Sequence, residues 1–119
     1  MSKLLSLEFV GLPPTVNTMY RNSGSHRYKR QEVRDWQEEI SGILSEHWEG
    51  QPYFKRACVS IEFTVKSSMN WDIDNRLKSL LDCLEIAGIL ANDNQIDGLN
   101  VRRYTGDQNK TKITVMEFR

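Results

Sequence analysis

Hydrophobic and polar residues alternate most regularly between Arg56 and Lys66. The apolar positions of this segment are Ala57, Val59, Ile61, Phe63 and Val65. A period of two predicts a β-strand, and its single apolar face predicts a sheet covered on one side. A looser alternation from Lys3 to Val10 predicts a first strand, which Gly11-Leu12-Pro13-Pro14 ends.

Two other segments repeat their hydrophobic residues every three or four positions, which is the period of an amphipathic helix. The first predicted helix runs from Lys29 to Trp48 and closes at Gly50 and Pro52. Its stripe consists of Val33, Trp36, Ile40, Ile43 or Leu44, and His47. The second runs from about Ile73 to Ala87, and Gly88 is its predicted C-terminal cap. Its buried face consists of Leu77, Leu80, Leu81 and Leu84.

The remaining segments complete the predicted fold. Residues 15–27 are polar and predict a long loop, which in a small domain is more often functional than not. Ile96 to Tyr104 and Lys112 to Phe118 predict a closing hairpin around Gly106-Asp107-Gln108-Asn109. The order β-α-β-α-β-β predicts a single α+β domain over residues 1–119, with a mixed sheet and both helices packed on one face.

Composition narrows the class of protein. A hydrophobic share of 39% and a charged share of 27% are typical of a globular domain. No segment approaches the roughly 20 apolar residues of a membrane span, and the first residues lack a secretory signal, so we expect a cytoplasmic protein without a membrane partner. Cys58 and Cys83 are isolated in apolar-patterned segments, which predicts reduced thiols and no disulfide.

Charge is balanced in total but not in its distribution. Sixteen basic and sixteen acidic residues cancel, which argues against a protein that grips nucleic acid by bulk charge. Acidic residues concentrate between Asp72 and Asp97, whereas one basic cluster precedes them and another follows at residues 102–112. The first cluster consists of Arg21, Arg27, Lys29, Arg30 and Arg34. An acidic centre between basic surfaces suits a metal-dependent phosphodiesterase, although a run of charges is usually just a solvated surface.

Asp72-Ile73-Asp74-Asn75 is the strongest candidate for chemistry. Two carboxylates spaced by two residues at a strand-to-helix junction can converge, and hard oxygen donors suit Mg²⁺ or Mn²⁺. The alternative is that Asp72 caps the following helix while Asp74 sits in its first turn. Lys78 follows Asp74 by four residues and can reach a carboxylate or a phosphate. Asp93 lies in a polar turn one helix-length later, and the chain would have to return it to the first pair.

Other ion and nucleotide motifs fail on spacing. Counted from Asp72 or Asp93, the twelfth position of a calcium loop is Cys83 or Tyr104, neither of which is the required Glu. No GxxxxGK[ST] or GxGxxG motif is present, and neither histidine has a convincing catalytic context.

The whole set of motifs resembles one nuclease family. The motifs are Asp72-Ile73-Asp74-Asn75 with Lys78, Asp82-Cys83-Leu84 with Gly88, Asn92-Asp93-Asn94-Gln95-Ile96, and the early Pro13-Pro14-Thr15-Val16-Asn17 with Tyr20 and Arg21. Together they resemble the RusA-type Holliday-junction resolvases of bacteria and their phages, including prophages, over nearly the whole chain. Two departures are visible. Asn92 stands where family members often carry a first acid, and residues 67–71 are not basic.

The resemblance implies a Mg²⁺-dependent homodimeric endonuclease that cuts opposed strands of a four-way DNA junction. It implies that the metal-binding aspartates are Asp72, Asp74 and Asp93 and that the essential lysine is Lys78. On this hypothesis the aspartates hold one or two Mg²⁺ ions, with Mn²⁺ as a possible substitute. Lys78 then either stabilises the transition-state charge or protonates the leaving oxygen.

Further residues have secondary roles in this hypothesis. Asp82 lies one turn after Lys78 and either orients it or is a solvated acid. Phosphates of the branched DNA would be held by Asn17, Arg21, Arg27, Lys29 and Arg30. Two rival functions are a nuclease with broader flap or fork specificity and a non-catalytic branched-DNA-binding module.

Overall fold

The computed structural model describes residues 2–14, 20–23, 26–29, 31–66, 73 and 76–118. The elements in chain order are strands β1 (Lys3–Val10), β2 (Tyr20–Ser23) and β3 (His26–Lys29), helix α1 (Gln31–Glu46), strand β4 (Ala57–Val65), helix α2 (Leu77–Ile86), a 3₁₀ turn (Asp93–Gln95), and strands β5 (Ile96–Thr105) and β6 (Lys110–Glu117). The four long strands form one sheet in the order β1-β6-β4-β5. The mixed sheet and the two helices confirm the predicted α+β class. The four strands of this sheet and the helices also follow the predicted order β-α-β-α-β-β, to which β2 and β3 are an addition.

Strand β4 is the centre of the sheet. It pairs in parallel with β5 and antiparallel with β6, so both of its edges are used. Every second residue from Ala57 to Val65 is at most 2% exposed, as the alternation predicted. These side chains pack with Ile40 and Leu44 of α1 and with Leu80 and Leu84 of α2 in one core. Burial of this apolar surface between sheet and helices is the main force that stabilises the fold.

The predicted hairpin between β5 and β6 is wrong, because β4 lies between the two strands. Residues 106–109 instead cross the end of β4. The Gly106 amide donates to the Val65 carbonyl at 3.0 Å, and the Lys66 amide donates to Asn109 Oδ1 at 2.7 Å. Strand pairing depends on tertiary contacts and not on sequence order alone. Here α2 connects β4 to β5 as a parallel crossover, so the other edge of β4 is left for β6.

The predicted loop over residues 15–27 is also wrong in part, because β2 and β3 pair there as an antiparallel hairpin. Its register joins Tyr20 to Lys29 and Ser23 to His26. The sequence did carry a signal: a glycine-containing pair, Gly24-Ser25, stands between two aromatic-containing segments. The many polar residues of this segment concealed that hairpin signal.

The helices differ from the prediction mainly at their ends. Helix α1 starts at Gln31, because Lys29 belongs to β3. The N-cap position of α2 is Arg76, four residues after Asp72, so the capping role considered for Asp72 does not apply to α2. At the C-terminus, Gly88 has φ +75° and the Ile89 amide donates to the Leu84 carbonyl at 3.0 Å. This is the predicted glycine cap, in its Schellman form.

Two smaller predictions concern the cysteines and the membrane. Cys58 and Cys83 are both free thiols, as predicted. Among the described residues, no helix has the length and apolar character needed to cross a bilayer.

Candidate active site

Asp93 stands in a tightly held 3₁₀ turn. Asn92 caps the turn through its Oδ1, which accepts from the Asn94 amide at 2.9 Å, while the Asn92 amide donates to Gln95 Oε1 at 2.8 Å. This reciprocal arrangement is a capping box. Asp93 itself is exposed to solvent. A rigid backbone therefore presents this carboxylate outside the core.

Gln95 anchors the same turn to the body of the protein. Its side chain is 5% exposed, and its Nε2 donates to the carbonyls of Tyr53 and Lys55 at 2.7 and 2.8 Å. All three hydrogen bonds of this amide involve backbone groups. The sequence-based hypothesis assigns no role to Gln95, although the Asn-x-x-Gln spacing of a capping box is a signal for it.

The ion pair between Arg56 and Asp97 holds the other side of the turn. The Arg56 Nε donates to Asp97 Oδ2 at 2.7 Å, and its Nη2 donates both to Asp97 Oδ1 and to the Asn94 carbonyl, the latter at 2.6 Å. Hydrogen bonding from Arg56 lowers the pKa of the Asp97 carboxyl below its usual value. Asp97 is therefore fully ionised at neutral pH and is committed to a structural contact.

Asp93 lies at the C-terminal end of α2. Its amide donates to Glu85 Oε1, in the last turn of that helix, at 2.5 Å. Asp72 and Asp74 flank Ile73, which precedes the N-terminal end of α2 and whose carbonyl accepts from the Arg76 amide at 3.2 Å. The eight residue steps from Leu77 to Glu85 alone span about 12 Å of helix. Asp93 and Ile73, the described residue between Asp72 and Asp74 in sequence, thus lie at opposite ends of α2.

Lys78 and Asp82 form the one-turn pair that the sequence predicted. The Lys78 Nζ lies 3.7 Å from Asp82 Oδ1. The Lys78 side chain is 51% exposed, whereas Asp82 is 20% exposed. An exposed pair of this kind contributes little to stability, about 0.3–0.5 kcal/mol. The pair matters instead for position, because it holds the Lys78 ammonium group at the first turn of α2.

The early proline segment packs against that same turn. Arg76 Nη1 donates to the Pro13 carbonyl at 2.6 Å, and Ser79 Oγ donates to the Pro14 carbonyl at 3.0 Å. Partial burial lowers the pKa of the Arg76 guanidinium from its usual value. Neither Arg76 nor Ser79 has a role in the sequence-based hypothesis. Two segments that are more than 60 residues apart in sequence therefore meet beside Lys78.

Several predicted site residues fall outside the described residues. These are Asp72, Asp74, Asn17 and Arg30. Arg21 lies on β2, and Arg27 and Lys29 lie on β3. Within the described ranges, no three His, Cys, Asp or Glu side chains gather as a metal site. The metal-binding set of Asp72, Asp74 and Asp93 therefore stays a prediction.

Comparison with known proteins defines the class. The family model described as endodeoxyribonuclease RusA matches residues 11–116, a range that contains α1, α2, β4 and the Asp93 turn. The chain belongs to this family. One relative is the crossover junction endodeoxyribonuclease RusA of Aquifex aeolicus, 34% identical over 83 residues, which are 70% of this chain and 66% of that protein. Another is the crossover junction endodeoxyribonuclease rusA of Enterobacteria phage HK97, 31% identical over 108 residues, which are 88% of this chain and 90% of the phage protein.

Proposed function

We propose that the protein is a Mg²⁺-dependent homodimeric endonuclease that cuts four-way DNA junctions. The observation that carries the proposal is the family match over residues 11–116, a range that contains the acidic motif, Lys78 and the Asp93 turn. Both relatives are named for cleavage at crossover junctions. Such a substrate is found where bacterial or prophage DNA recombines, so we place the activity in the cytoplasm.

The donor chemistry of the candidate residues fits a hard divalent cation. Asp93 offers an exposed carboxylate on a turn whose backbone is already fixed by hydrogen bonds, so ion binding there costs little ordering. Together with Asp72 and Asp74, it would supply the oxygen donors that Mg²⁺ prefers and Mn²⁺ accepts. When bound, such an ion activates water and neutralises charge on the scissile phosphate.

Lys78 is proposed to act on the phosphate itself. Asp82 restricts where the ammonium group can point, since their charged atoms are 3.7 Å apart. A cation held next to the acidic segment can stabilise the negative charge of the transition state or donate a proton to the leaving oxygen. Arg76 and Ser79 support this region by fixing the Pro13–Pro14 carbonyls, from which the chain continues towards Asn17.

The position of Asp93 favours a site shared between two chains. Within one chain, Asp93 and Ile73, which stands between Asp72 and Asp74 in sequence, are separated by the length of α2. We propose that Asp93 of one protomer completes the site formed by Asp72 and Asp74 of its partner. A twofold dimer then has two such sites, which matches the two opposed strands of a four-way junction.

The first experiment measures cleavage of labelled four-way junctions with and without Mg²⁺, using Asp74→Asn and Asp93→Asn variants. We expect cleavage by the wild-type protein only with metal, and none by either variant. Asp107→Asn is the matched control, because Asp107 is an exposed acid in the β5–β6 connection. Equal activity in all variants would refute the site. A substrate panel with flaps and forks tests the broader nuclease, and junction binding without cleavage would favour the non-catalytic module.

Mixing inactive variants tests the shared site. If the site is shared, a dimer of one Asp74→Asn chain and one Asp93→Asn chain has one intact site, so an equal mixture recovers about a quarter of the wild-type sites. A mixture of Asp72→Asn and Asp74→Asn is the control, and it stays inactive because both changes affect the same segment. No recovery in the first mixture, despite exchange of subunits, would place each site within one chain.

A further inference from the structure

A cleft with aromatic walls lies at the end of the sheet where β4 begins and β6 ends, and the proposed function does not use it. Its volume is about 370 Å³. Its walls are formed by Tyr53, Lys55, Arg56, Glu117 and Phe118. This volume lies near the lower limit for small-molecule sites, which combine aromatic walls with a few polar groups. The cleft is therefore the size of a site for one small ring system.

Hydrogen bonds attach the walls of this cleft to the 3₁₀ turn that offers the predicted metal-binding carboxylate. Gln95 Nε2 donates to the carbonyls of Tyr53 and Lys55 at 2.7 and 2.8 Å. Arg56 Nη2 donates to the Asn94 carbonyl at 2.6 Å. Because three of the five walls are bonded directly to this turn, a group bound in the cleft lies next to it.

Phe118 is an aromatic wall that is both supported and accessible. Its ring lies over Gly98 of β5, where a Cβ would be 3.4 Å from Phe118 Cε2. The Phe118 amide donates to the Arg56 carbonyl at 3.1 Å, which fixes the backbone at this point. Phe118 nevertheless remains 42% exposed. Since the ring is held against the sheet without being covered, it is available for stacking with a flat ligand.

The charges at the cleft favour an uncharged ring with a phosphate at its margin. Arg56 is already paired with Asp97, and Glu117 adds a further acid to the walls. Lys55 is exposed and forms no ion pair within the described part of the chain. With two basic and two acidic groups in balance, the cleft itself offers a phosphate little attraction, whereas Lys55 can contact one from its exposed side. A nucleotide has this combination of a neutral ring and an adjoining phosphate.

We propose that the cleft binds one nucleobase of the DNA junction, unstacked from its neighbours and adjoining the phosphate that is cut. This proposal rests on the proposed function, because it takes the Asp93 turn as part of the nuclease site. The base stacks on Phe118, and Lys55 contacts a phosphate of the same strand. Where the arms of a junction part, a base loses stacking neighbours, so its extrusion costs less than that of a base within a continuous duplex. The cleft therefore favours branched over continuous DNA.

A double-mutant cycle between protein and DNA tests the stacking contact. Each base next to the branch point is replaced in turn by an abasic site, and the junction affinities of the wild-type protein and of Phe118→Leu are measured without metal. Stacking of a base on an aromatic side chain changes affinity by about 5- to 150-fold. At one position we expect the wild-type protein to lose at least about fivefold when the base is removed, and Phe118→Leu to lose nothing further. Equal losses for both proteins at every position would overturn the proposal.

Phe54→Leu is the matched control for Phe118→Leu. Phe54 is 69% exposed and belongs to the same segment as Lys55, but it is not a wall of the cleft. This variant should respond to each abasic site as the wild-type protein does. If it loses the response to the same base, stacking is not located in the cleft and the proposal is wrong.

Lys55→Gln tests the cleft without changing an aromatic residue, and it remains informative if Phe118→Leu folds poorly. It should weaken junction binding and reduce the salt dependence of the affinity by about one phosphate contact. An unchanged salt dependence would refute the role of Lys55. If Phe118→Leu changes the oligomeric state in sedimentation experiments but not the response to any abasic site, the cleft is a contact between copies of the chain and not a base site.

Cleavage assays of the same proteins separate this proposal from the proposed function. Normal Mg²⁺-dependent cleavage without coupling between Phe118 and any base would refute the base site alone. Coupling to one base in a protein that cuts no junction would refute the nuclease activity.

Discussion

Replacement of Gln95 by alanine should destabilise the protein through the turn that carries Asp93. The change removes three hydrogen bonds of 2.7 to 2.8 Å and leaves the Tyr53 and Lys55 carbonyls without this donor. Each such bond contributes about 1 kcal/mol net, so the expected loss is roughly 3 kcal/mol. For a chain of 119 residues this corresponds to a fall in Tm of roughly 10 °C.

Two comparison variants separate the causes of this loss. Gln95→Met keeps most of the side-chain volume but none of the hydrogen bonds, so it should melt close to Gln95→Ala. Gln108→Ala, at an exposed position, should change stability by no more than about 0.5 kcal/mol. Thermal unfolding is followed by circular dichroism at constant pH and salt.

Cleavage by Gln95→Ala connects this stability effect to the site. Assayed well below its melting temperature, the variant should need more Mg²⁺ for half-maximal cleavage, because the Asp93 backbone has lost its anchor. Junction affinity measured without metal should remain unchanged. If Gln95→Met melts with the wild-type protein, or if both variants cut normally at low Mg²⁺, the reasoning from these hydrogen bonds is refuted.

Three further predictions concern single positions. Lys78→Gln should lower cleavage at least about 100-fold, because Lys78 is proposed to act on the phosphate. Junction binding and Tm should stay near wild type, because the side chain is half-exposed. An unchanged rate would exclude Lys78 from the site. Gly106→Ala should lower the free energy of unfolding by about 1–3 kcal/mol, since the new Cβ would lie 2.6 Å from Thr64 Cγ2. Adding Thr64→Ser, which removes that methyl group, should restore most of the lost stability in a melting experiment. Arg56 lowers the pKa of Asp97, so the stability that this ion pair adds is present above pH 3.8 and is lost as the pH falls below that value. The difference in Tm between the wild-type protein and Asp97→Asn should therefore shrink over the same pH range, and a constant difference would contradict the pairing.

The sequence predicted those parts of the fold that depend on local periodicity. Strand β4 alternates so regularly because both faces of a central strand have fixed environments, and its bounds were correct to within a residue. The Gly88 cap was predictable, because φ +75° is a conformation that glycine adopts without strain. The pairing of β5 was not predictable in this way, since its neighbour depends on a crossover through α2.

In the candidate site too, local contacts were predictable from the sequence and long-range contacts were not. Lys78 and Asp82 are one helical turn apart, so the sequence predicted their contact. The contacts of Arg76 and Ser79 with Pro13 and Pro14 join distant segments, and no spacing rule indicates them. These contacts bring the early proline motif beside the first turn of α2, which carries Lys78.

The pairing of β5 bears on how the three predicted metal ligands, Asp72, Asp74 and Asp93, could meet. If the chain after α2 had returned antiparallel beside β4, Asp93 would have come back towards Ile73. The crossover to a parallel β5 carries it to the far end instead, and the Arg56 and Gln95 contacts fix it there. On the proposed function, a metal site with all three carboxylates would therefore take Asp93 from a second chain. The dimer that the resemblance implies would then be a condition for chemistry, and the mixed-variant experiment measures this condition.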